Sequence, residues 1–300
     1  MSLKVLKTPL RYPGGKSRAV SKLKSFLPSL SSYDQYIEPF LGGASVALYV
    51  SQQFPHIKIK VNDLYEPLVL FWQQLQTNTE DLHSSLSKLK KENPDHDSAK
   101  SLFLSAKDII NDPLYSDLDR AVSFYIVNKC SFSGLTESSS FSPQASDSNF
   151  NVRGIDKLPE YGNIIKEWVI TQKSYEKILN ENTKKKTFIY LDPPYEIKDN
   201  LYGKKGSLHR GFSHDKFADI CSDSCHDIMV SYNASQIVRD RFKDWRAFEY
   251  NHTYTMRSVG DYMYDQDKRK ELVLVNYPKI SPLGACYNYG ALKREGLLSE

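Results

Sequence analysis

Residues 187–195 read Thr-Phe-Ile-Tyr-Leu-Asp-Pro-Pro-Tyr, a run of apolar residues that ends in a charged and proline-rich tetrapeptide. A strand is expected over Thr187–Leu191, and its apolar part, from Phe188 to Leu191, is typical of a central strand that is buried on both faces of a sheet. Two consecutive prolines fix φ and provide no N–H donors, so the strand must stop at Asp192. Ligand sites in open α/β sheets lie beyond the carboxyl ends of strands, which makes the tetrapeptide at 192–195 the first candidate for a functional site.

Strand and helix signals alternate on both sides of this run. Apolar and polar residues alternate over Ile57–Val61 as in a half-exposed strand, and a helix is expected from about Pro67. This alternation predicts an α/β sheet with helices on its faces. The other expected strands are Tyr36–Pro39, Trp168–Thr171, Ile228–Ser231 and Glu271–Asn276, and the other expected helices are Ala44–Gln53, Ser174–Leu179, His214–Cys225 and Ser235–Phe242.

The region 76–160 interrupts the alternation. Helical stretches over Ser101–Ile110 and Asp119–Lys129 are followed by a serine-rich loop over Glu137–Asn149, which is too long for an ordinary connection. We therefore expect an inserted, mostly helical second domain. The expected division is a discontinuous catalytic domain at 1–75 and 161–279, a target-recognition domain at 76–160, and a poorly specified tail at 280–300.

The composition is that of an ordinary globular protein. Of 300 residues, 40% are hydrophobic and 25% are charged, the formal net charge is +4, and four residues are cysteines. The sequence has neither a membrane-spanning apolar run nor a signal-like N-terminus, and four cysteines do not make a disulfide framework. We therefore expect a cytoplasmic protein. The cysteines and histidines match no common zinc spacing, so no metal is expected.

The tetrapeptide offers hydrogen-bond acceptors: a carboxylate on Asp192 and a carbonyl on Pro193. Such a surface suits an amino group on a planar ring, for example the exocyclic amine of adenine. Two hydrogen bonds would direct the nitrogen lone pair toward an incoming methyl group, and Asp192 would stabilise the positive charge that develops. Tyr195 would stack on the base, which must be flipped out of a duplex. Taken alone, the tetrapeptide also fits a simple turn.

A glycine-rich turn follows the first expected strand. Gly42 and Gly43 would let the backbone approach a ligand closely. Asp63 stands 20 positions after Gly43, where an acidic residue holds ribose hydroxyls in nucleoside-binding sheets. The turn does not fit G-x-G-x-x-G, which argues against a nicotinamide dehydrogenase and favours a nucleoside without a pyrophosphate. A plain turn with Asp63 as a helix cap is the alternative interpretation.

A third motif, Arg-Tyr-Pro-Gly-Gly-Lys at 11–16, lies near the N-terminus. Tyr12 is a candidate for stacking on a ring, and Lys16 for pairing with a carboxylate such as that of a methionine moiety. The spacing of a phosphate-binding P-loop is absent. A surface turn is the alternative interpretation.

In this order the three motifs resemble the Dam-type family of DNA adenine methyltransferases, over about residues 8–277. The resemblance implies a Rossmann-like class I methyltransferase sheet of seven strands, the last one antiparallel. It implies methyl transfer from S-adenosylmethionine to the 6-amino group of adenine in double-stranded DNA, and a cognate restriction endonuclease as a partner. The implied cofactor-binding residues are Tyr12, Lys16, Glu38, Phe40, Gly42, Gly43, Asp63 and Asp192, and the residues that receive adenine are Asp192, Pro193 and Tyr195.

DNA contacts are expected in two segments. Residues 128–134, with Asn128, Phe132 and Gly134, resemble a segment with asparagine, phenylalanine and glycine in the family's recognition domain, and Phe150–Asn151 resembles the pair that closes its hairpin. Residues 135–140 lack the arginine that members reading GATC carry, which argues against a GATC target. The segment Glu196–Ser213 combines glycines with positive charges and is expected to order over DNA. The expected DNA-binding residues are Asn128, Lys129, Ser131, Lys204, Lys205 and Arg210.

Other functions stay open on the sequence alone. The same acceptor surface would serve the 4-amino group of cytosine or an adenine in RNA, and pocket size and the recognition region would discriminate between them. A catalytically silent DNA- or cofactor-binding module is a different class, and the intact tetrapeptide at 192–195 counts against it.

Overall fold

The computed structural model describes residues 5–12, 15–132, 139–196, 211–251 and 270–277. Its centre is one sheet of seven strands: β1 Gln35–Glu38, β2 Lys58–Asn62, β3 Val169–Thr171, β4 Thr187–Leu191, β5 Asp227–Asn233, β6 Arg246–Asn251 and β7 Lys270–Val275. The strand order is β3-β2-β1-β4-β5-β7-β6. All pairs from β3 to β5 are parallel, and β7 runs antiparallel to both β5 and β6. The expected α/β sheet with an antiparallel last strand is confirmed.

Helices cover both faces of the sheet and fill the region between β2 and β3. Residues of β4 alternate between two apolar clusters, with Phe188 and Tyr190 in one and Ile189 and Leu191 in the other. The helices are α1 Val20–Leu23, α2 Ser45–Gln53, α3 Glu66–Thr77, α4 Thr79–Glu92, α5 His96–Ile109, α6 Asp117–Cys130, α7 Pro143–Asn149, α8 Val152–Ile155, α9 Leu158–Ile165, α10 Tyr175–Leu179, α11 His214–Ser222 and α12 Gln236–Arg241, with a 3₁₀ turn at Leu30–Ser32.

The strand β2 is more buried than its sequence pattern predicts. Lys60 is only 9% exposed, because β2 lies between β1 and β3 and the ammonium of Lys60 bonds to Glu181. The amide of Asn62 donates to the carbonyls of Pro39 at 3.1 Å and Lys173 at 2.8 Å. The expectation of a half-exposed strand was therefore wrong, since partners on other elements satisfy its polar side chains.

The expected insertion is helical, and part of the expected loop is not a loop. Helix α7 begins at Pro143, where Ser142 accepts a hydrogen bond from the backbone of Ala145 at 3.2 Å and caps the helix. The expectation of a loop over Glu137–Asn149 was therefore wrong for its second half, which is helical. Asn151, expected to close a hairpin, caps α8 instead through a 2.8 Å bond from Gly154 N.

The inserted helices pack on the helix that follows β2. The ring of Phe71 in α3 stacks on Tyr125 in α6, with centroids 5.7 Å apart. Buried residues of the sheet and of α3 to α6 belong to one continuous cluster. The division into domains at 76–160 stays a prediction. Within the described ranges, no helix combines the length and the apolar composition that a membrane-spanning segment needs.

Candidate active site

The end of β4 carries a buried group of charged and phenolic side chains. The ammonium of Lys16 lies 3.1 Å from Asp192 Oδ1 and 3.4 Å from Glu271 Oε1. It also donates to the hydroxyl of Tyr195 at 2.6 Å, and that hydroxyl lies 3.2 Å from Asp192 Oδ1. The structure thus brings together the N-terminal motif, the tetrapeptide and the first residues of β7. Lys16 is 3% exposed and Asp192 is 22% exposed.

Burial and neighbouring charges set the protonation of this group. Burial by itself disfavours the charged form of Lys16, but the carboxylates of Asp192 and Glu271 outweigh it and raise the pKa of Lys16. Burial raises the pKa of Asp192 to about 6, with Lys16 opposing the shift and Glu271 adding to it. At neutral pH the site therefore holds a charged ammonium beside an ionised Asp192.

Glu38 and Tyr36 form a second buried pair at the end of β1. The hydroxyl of Tyr36 donates to Glu38 Oε2 at 2.6 Å, and both side chains are almost completely buried. Burial raises the pKa of Glu38 to about 8 even though Tyr36 opposes the shift. Glu38 is therefore mostly protonated at neutral pH and can donate a hydrogen bond as well as accept one.

The glycine-rich turn after β1 holds its predicted residues close together. Gly42 has a φ of +48° and donates its N–H to Asp63 Oδ2 at 2.9 Å. The other carboxylate oxygen of Asp63 accepts from the backbone of Tyr65 at 3.0 Å. A Cβ on Gly42 would lie 3.0 Å from the ring of Tyr12, so only glycine allows this close approach. Tyr12, Gly42 and Asp63 therefore form one corner of the site.

An aromatic cluster flanks the other side of the tetrapeptide. The ring of Tyr195 stacks on Tyr232 of β5, with centroids 5.6 Å apart and planes 19° apart. Phe40 packs against Tyr175 and Phe217 in the same apolar cluster as Tyr195. Phe40, predicted to bind the cofactor, thus packs against the apolar cluster that contains Tyr232. Tyr12, also predicted to bind it, packs against the other apolar cluster of the sheet.

The predicted DNA-binding residues of α6 contact the N-terminal segment. The amide of Asn128 accepts from Arg11 N at 2.9 Å and donates to Arg11 O at 2.5 Å. Lys129 donates to the carbonyl of Pro9, and burial together with the charge of Arg11 lowers the pKa of Lys129 to about 8. Ser131 is fully buried. Contacts of these residues with DNA stay a prediction, and Lys204, Lys205 and Arg210 lie outside the described residues.

Sequence reasoning missed Glu271 and Tyr250 as site residues. The hydroxyl of Tyr250 donates to Glu271 Oε2, while the other oxygen of Glu271 faces Lys16. The available signal was a lone acid in front of the apolar run Leu-Val-Leu-Val at 272–275, but β6, which carries Tyr250, was not anticipated. In the part of the chain that the structure describes, no three or more His, Cys, Asp or Glu residues form a group that could hold a metal.

Comparison with known proteins finds similarity to methyltransferases in each case. The family model described as D12 class N6 adenine-specific DNA methyltransferase matches residues 12–258. The chain is 23% identical over 277 residues to the type II methyltransferase M.CviBI of Paramecium bursaria Chlorella virus NC1A, covering 91% of this chain and 100% of that protein. It is 24% identical over 292 residues to M1.LlaDCHI of Lactococcus lactis, covering 89% and 94%. It is 26% identical over 198 residues to M.MjaIII of Methanocaldococcus jannaschii, covering 62% and 68%.

Proposed function

Because the chain belongs to the family of D12 class N6 adenine-specific DNA methyltransferases, we propose that it methylates adenine at the end of β4, against Asp192 and Pro193. The family acts on adenine in DNA. This argues against cytosine or RNA as the substrate and against a catalytically silent binding module as the function. The observation that carries the proposed location is the 3.1 Å contact between Lys16 and Asp192. It supports one site built from the N-terminal motif and the tetrapeptide.

Asp192 and Pro193 are proposed to accept the two N–H groups of the adenine amine. These hydrogen bonds localise the nitrogen lone pair, which is otherwise delocalised into the ring. As the nitrogen bonds to the methyl carbon, the bond from that carbon to the donor sulfur would break and leave a neutral thioether. The Asp192 carboxylate would lie where positive charge develops on the nitrogen, so it stabilises the transition state more than the ground state. One N–H proton leaves the nitrogen after methylation, and Asp192, with a pKa of about 6, is placed to receive it.

The residues at the strand ends fit S-adenosylmethionine, which supplies a methyl group on a positively charged sulfur when it is bound. Asp63 accepts hydrogen bonds from the backbone of Gly42, Leu64 and Tyr65, and a carboxylate offers about four acceptor positions, so one remains for a ribose hydroxyl. Among the described residues, the buried Oδ1 of Asn233 has no hydrogen-bond partner, which suits a ligand donor. The residues proposed to hold the cofactor are Tyr12, Lys16, Glu38, Phe40, Gly42, Gly43, Asp63 and Asp192.

Tyr195 is proposed to stack on the adenine. Tyr232 covers one face of the Tyr195 ring, so a base would use the other face. A base in a duplex must leave the helix to reach this pocket. We propose contacts with double-stranded DNA by Lys204, Lys205 and Arg210. Asn128 and Ser131 are fully buried and Lys129 bonds to Pro9, so we propose that these three hold the N-terminal segment in place instead. The type II relatives support a restriction-modification context, and we propose a cognate endonuclease as partner and the cytoplasm as location.

Methylation by Asp192 variants tests this assignment. The wild-type protein is incubated with methyl-labelled S-adenosylmethionine and unmethylated genomic DNA, and the labelled base and its neighbours are mapped. Label on the 6-amino group of adenine is expected. Asp192→Ala is expected to abolish labelling and to keep measurable cofactor binding, because Asp63 and the Gly42 turn are intact. Unchanged turnover by Asp192→Ala would contradict the proposed role.

A further inference from the structure

Glu271 is the second carboxylate in contact with the ammonium of Lys16. It is 1% exposed and stands opposite Asn233 of β5 and Tyr250 of β6 in the sheet register. One of its oxygens lies 3.4 Å from Lys16 Nζ, and the other accepts the hydroxyl of Tyr250. These contacts fix the Glu271 carboxylate within the same buried group as Asp192.

Lys16 does not need a second carboxylate to compensate its buried charge. Burying a charge is costly unless a partner of opposite sign is present, and Lys16 already has Asp192 at 3.1 Å. Adding a buried Glu271 gives two carboxylates that face one ammonium. Because Coulomb energies add pair by pair, the negative charge of Glu271 offsets part of the field that the ammonium exerts at Asp192.

We propose that Glu271 is a positioning residue whose negative charge offsets part of the field of Lys16 at Asp192 and so keeps Asp192 a strong acceptor for the adenine amine. This inference rests on the proposed role of Asp192 in the reaction. Glu271 acts through Lys16 and does not touch the base. Its carboxylate also holds Lys16 in place, since Tyr250 fixes the orientation of Glu271.

The direction of the electrostatic effect follows from the charges. Burial is the largest cause of the raised pKa of Asp192, Lys16 opposes the shift, and the negative charge of Glu271 adds to it. Removing that charge therefore lowers the pKa of Asp192. The other titratable groups that face this cluster from the neighbouring elements are Tyr36, Glu38, Asp63, Tyr190, Tyr195 and Tyr250.

Glu271→Gln tests the proposal because glutamine keeps the shape and removes the charge. We expect kcat to fall by about ten-fold or more, as for other groups that orient a reacting residue, with little change in the KM for DNA. The acid limb of the kcat/KM profile, near the Asp192 pKa of about 6 in the wild type, moves to lower pH. A fall in kcat with an unmoved acid limb would overturn the proposal.

Asp227→Asn is a matched control at the opposite end of β5. Asp227 accepts the hydroxyl of Tyr33, so this variant also removes a carboxylate from a tyrosine–carboxylate pair. It is expected to leave the acid limb and kcat unchanged. Glu271→Asp keeps the charge but withdraws it from Lys16, and it should move the limb in the same direction by less. If Glu271→Gln does not fold, an unmoved limb in Glu271→Asp overturns the proposal.

Asp192→Asn separates the two proposals. If Asp192→Asn turns over normally, the assignment of Asp192 fails and the inference fails with it. If Asp192→Asn is inactive while Glu271→Gln leaves both kcat and the acid limb unchanged, only the role of Glu271 is refuted.

Discussion

Replacing Lys16 by methionine removes the ammonium group that contacts both Asp192 and Glu271. The side chain of Lys16 is 3% exposed, so water cannot replace the lost contacts without opening the site. Breaking a buried ion pair by removing one partner costs about 3–5 kcal/mol of folding free energy, because the remaining charge is uncompensated. We expect a loss of this size for Lys16→Met at about pH 8, measured by denaturant unfolding.

The pH dependence of that loss follows from Asp192. Lys16 lowers the pKa of Asp192, which is about 6 in the wild type, so Lys16→Met raises it further. A carboxyl group whose folded-state pKa is raised binds its proton more tightly in the folded state, and folding stability falls as pH rises through that pKa. The stability deficit of Lys16→Met relative to the wild type should therefore grow from about pH 6 to about pH 8.

Lys60→Met is the matched control for this measurement. Lys60 is also poorly exposed, but its partner Glu181 is 38% exposed and stays hydrated when the ammonium is removed. Its deficit should be smaller and should not grow over the same pH range. A Lys16→Met deficit that equals that of Lys60→Met, or stays constant with pH, would refute the reasoning.

Two further substitutions test the geometry around the site. Gly42→Ala places a Cβ 3.0 Å from the ring of Tyr12 at a φ of +48°, and we expect a loss of about 1–2 kcal/mol with weaker cofactor binding by calorimetry. Gly43→Ala, which lacks the positive φ, should cost less; an equal cost would contradict this explanation. Tyr232→Leu removes the ring stacked on Tyr195, worth about 0.5–1.5 kcal/mol, and should lower kcat for DNA while cofactor affinity is kept; unchanged kcat would exclude a role for this stack.

The central strand and the tetrapeptide could be predicted because their signals are local. The bounds of β4, Thr187–Leu191, agree with the expected strand, since five consecutive residues are buried there. The prolines that end the strand also act through their own backbone. Such features need no knowledge of distant residues.

Other features depend on partners that are distant in sequence. The polar residues of β2 indicate a half-exposed strand until Glu181 and the backbone of Lys173 are placed beside them. Glu271 can be recognised as a site residue only when β7 is placed between β5 and β6, because that register brings Tyr250 next to it. The N-terminal motif predicted a carboxylate for Lys16, but only the tertiary structure identifies Asp192 and Glu271 as its partners in the protein.

Each of the three acidic residues at the strand ends has a tyrosine hydroxyl beside its carboxyl group. Tyr36 donates to Glu38 and Tyr250 donates to Glu271, while the Tyr195 hydroxyl lies 3.2 Å from Asp192. A phenol stabilises a neighbouring carboxyl group by a hydrogen bond without adding positive charge, and burial raises the pKa of both Tyr36 and Tyr250, so these two remain donors. Lysines or arginines at these positions would add to the positive charge of Lys16 and repel a sulfonium and a nitrogen that becomes positive. The tyrosines therefore stabilise buried carboxyl groups at this edge without adding to the positive charge of Lys16.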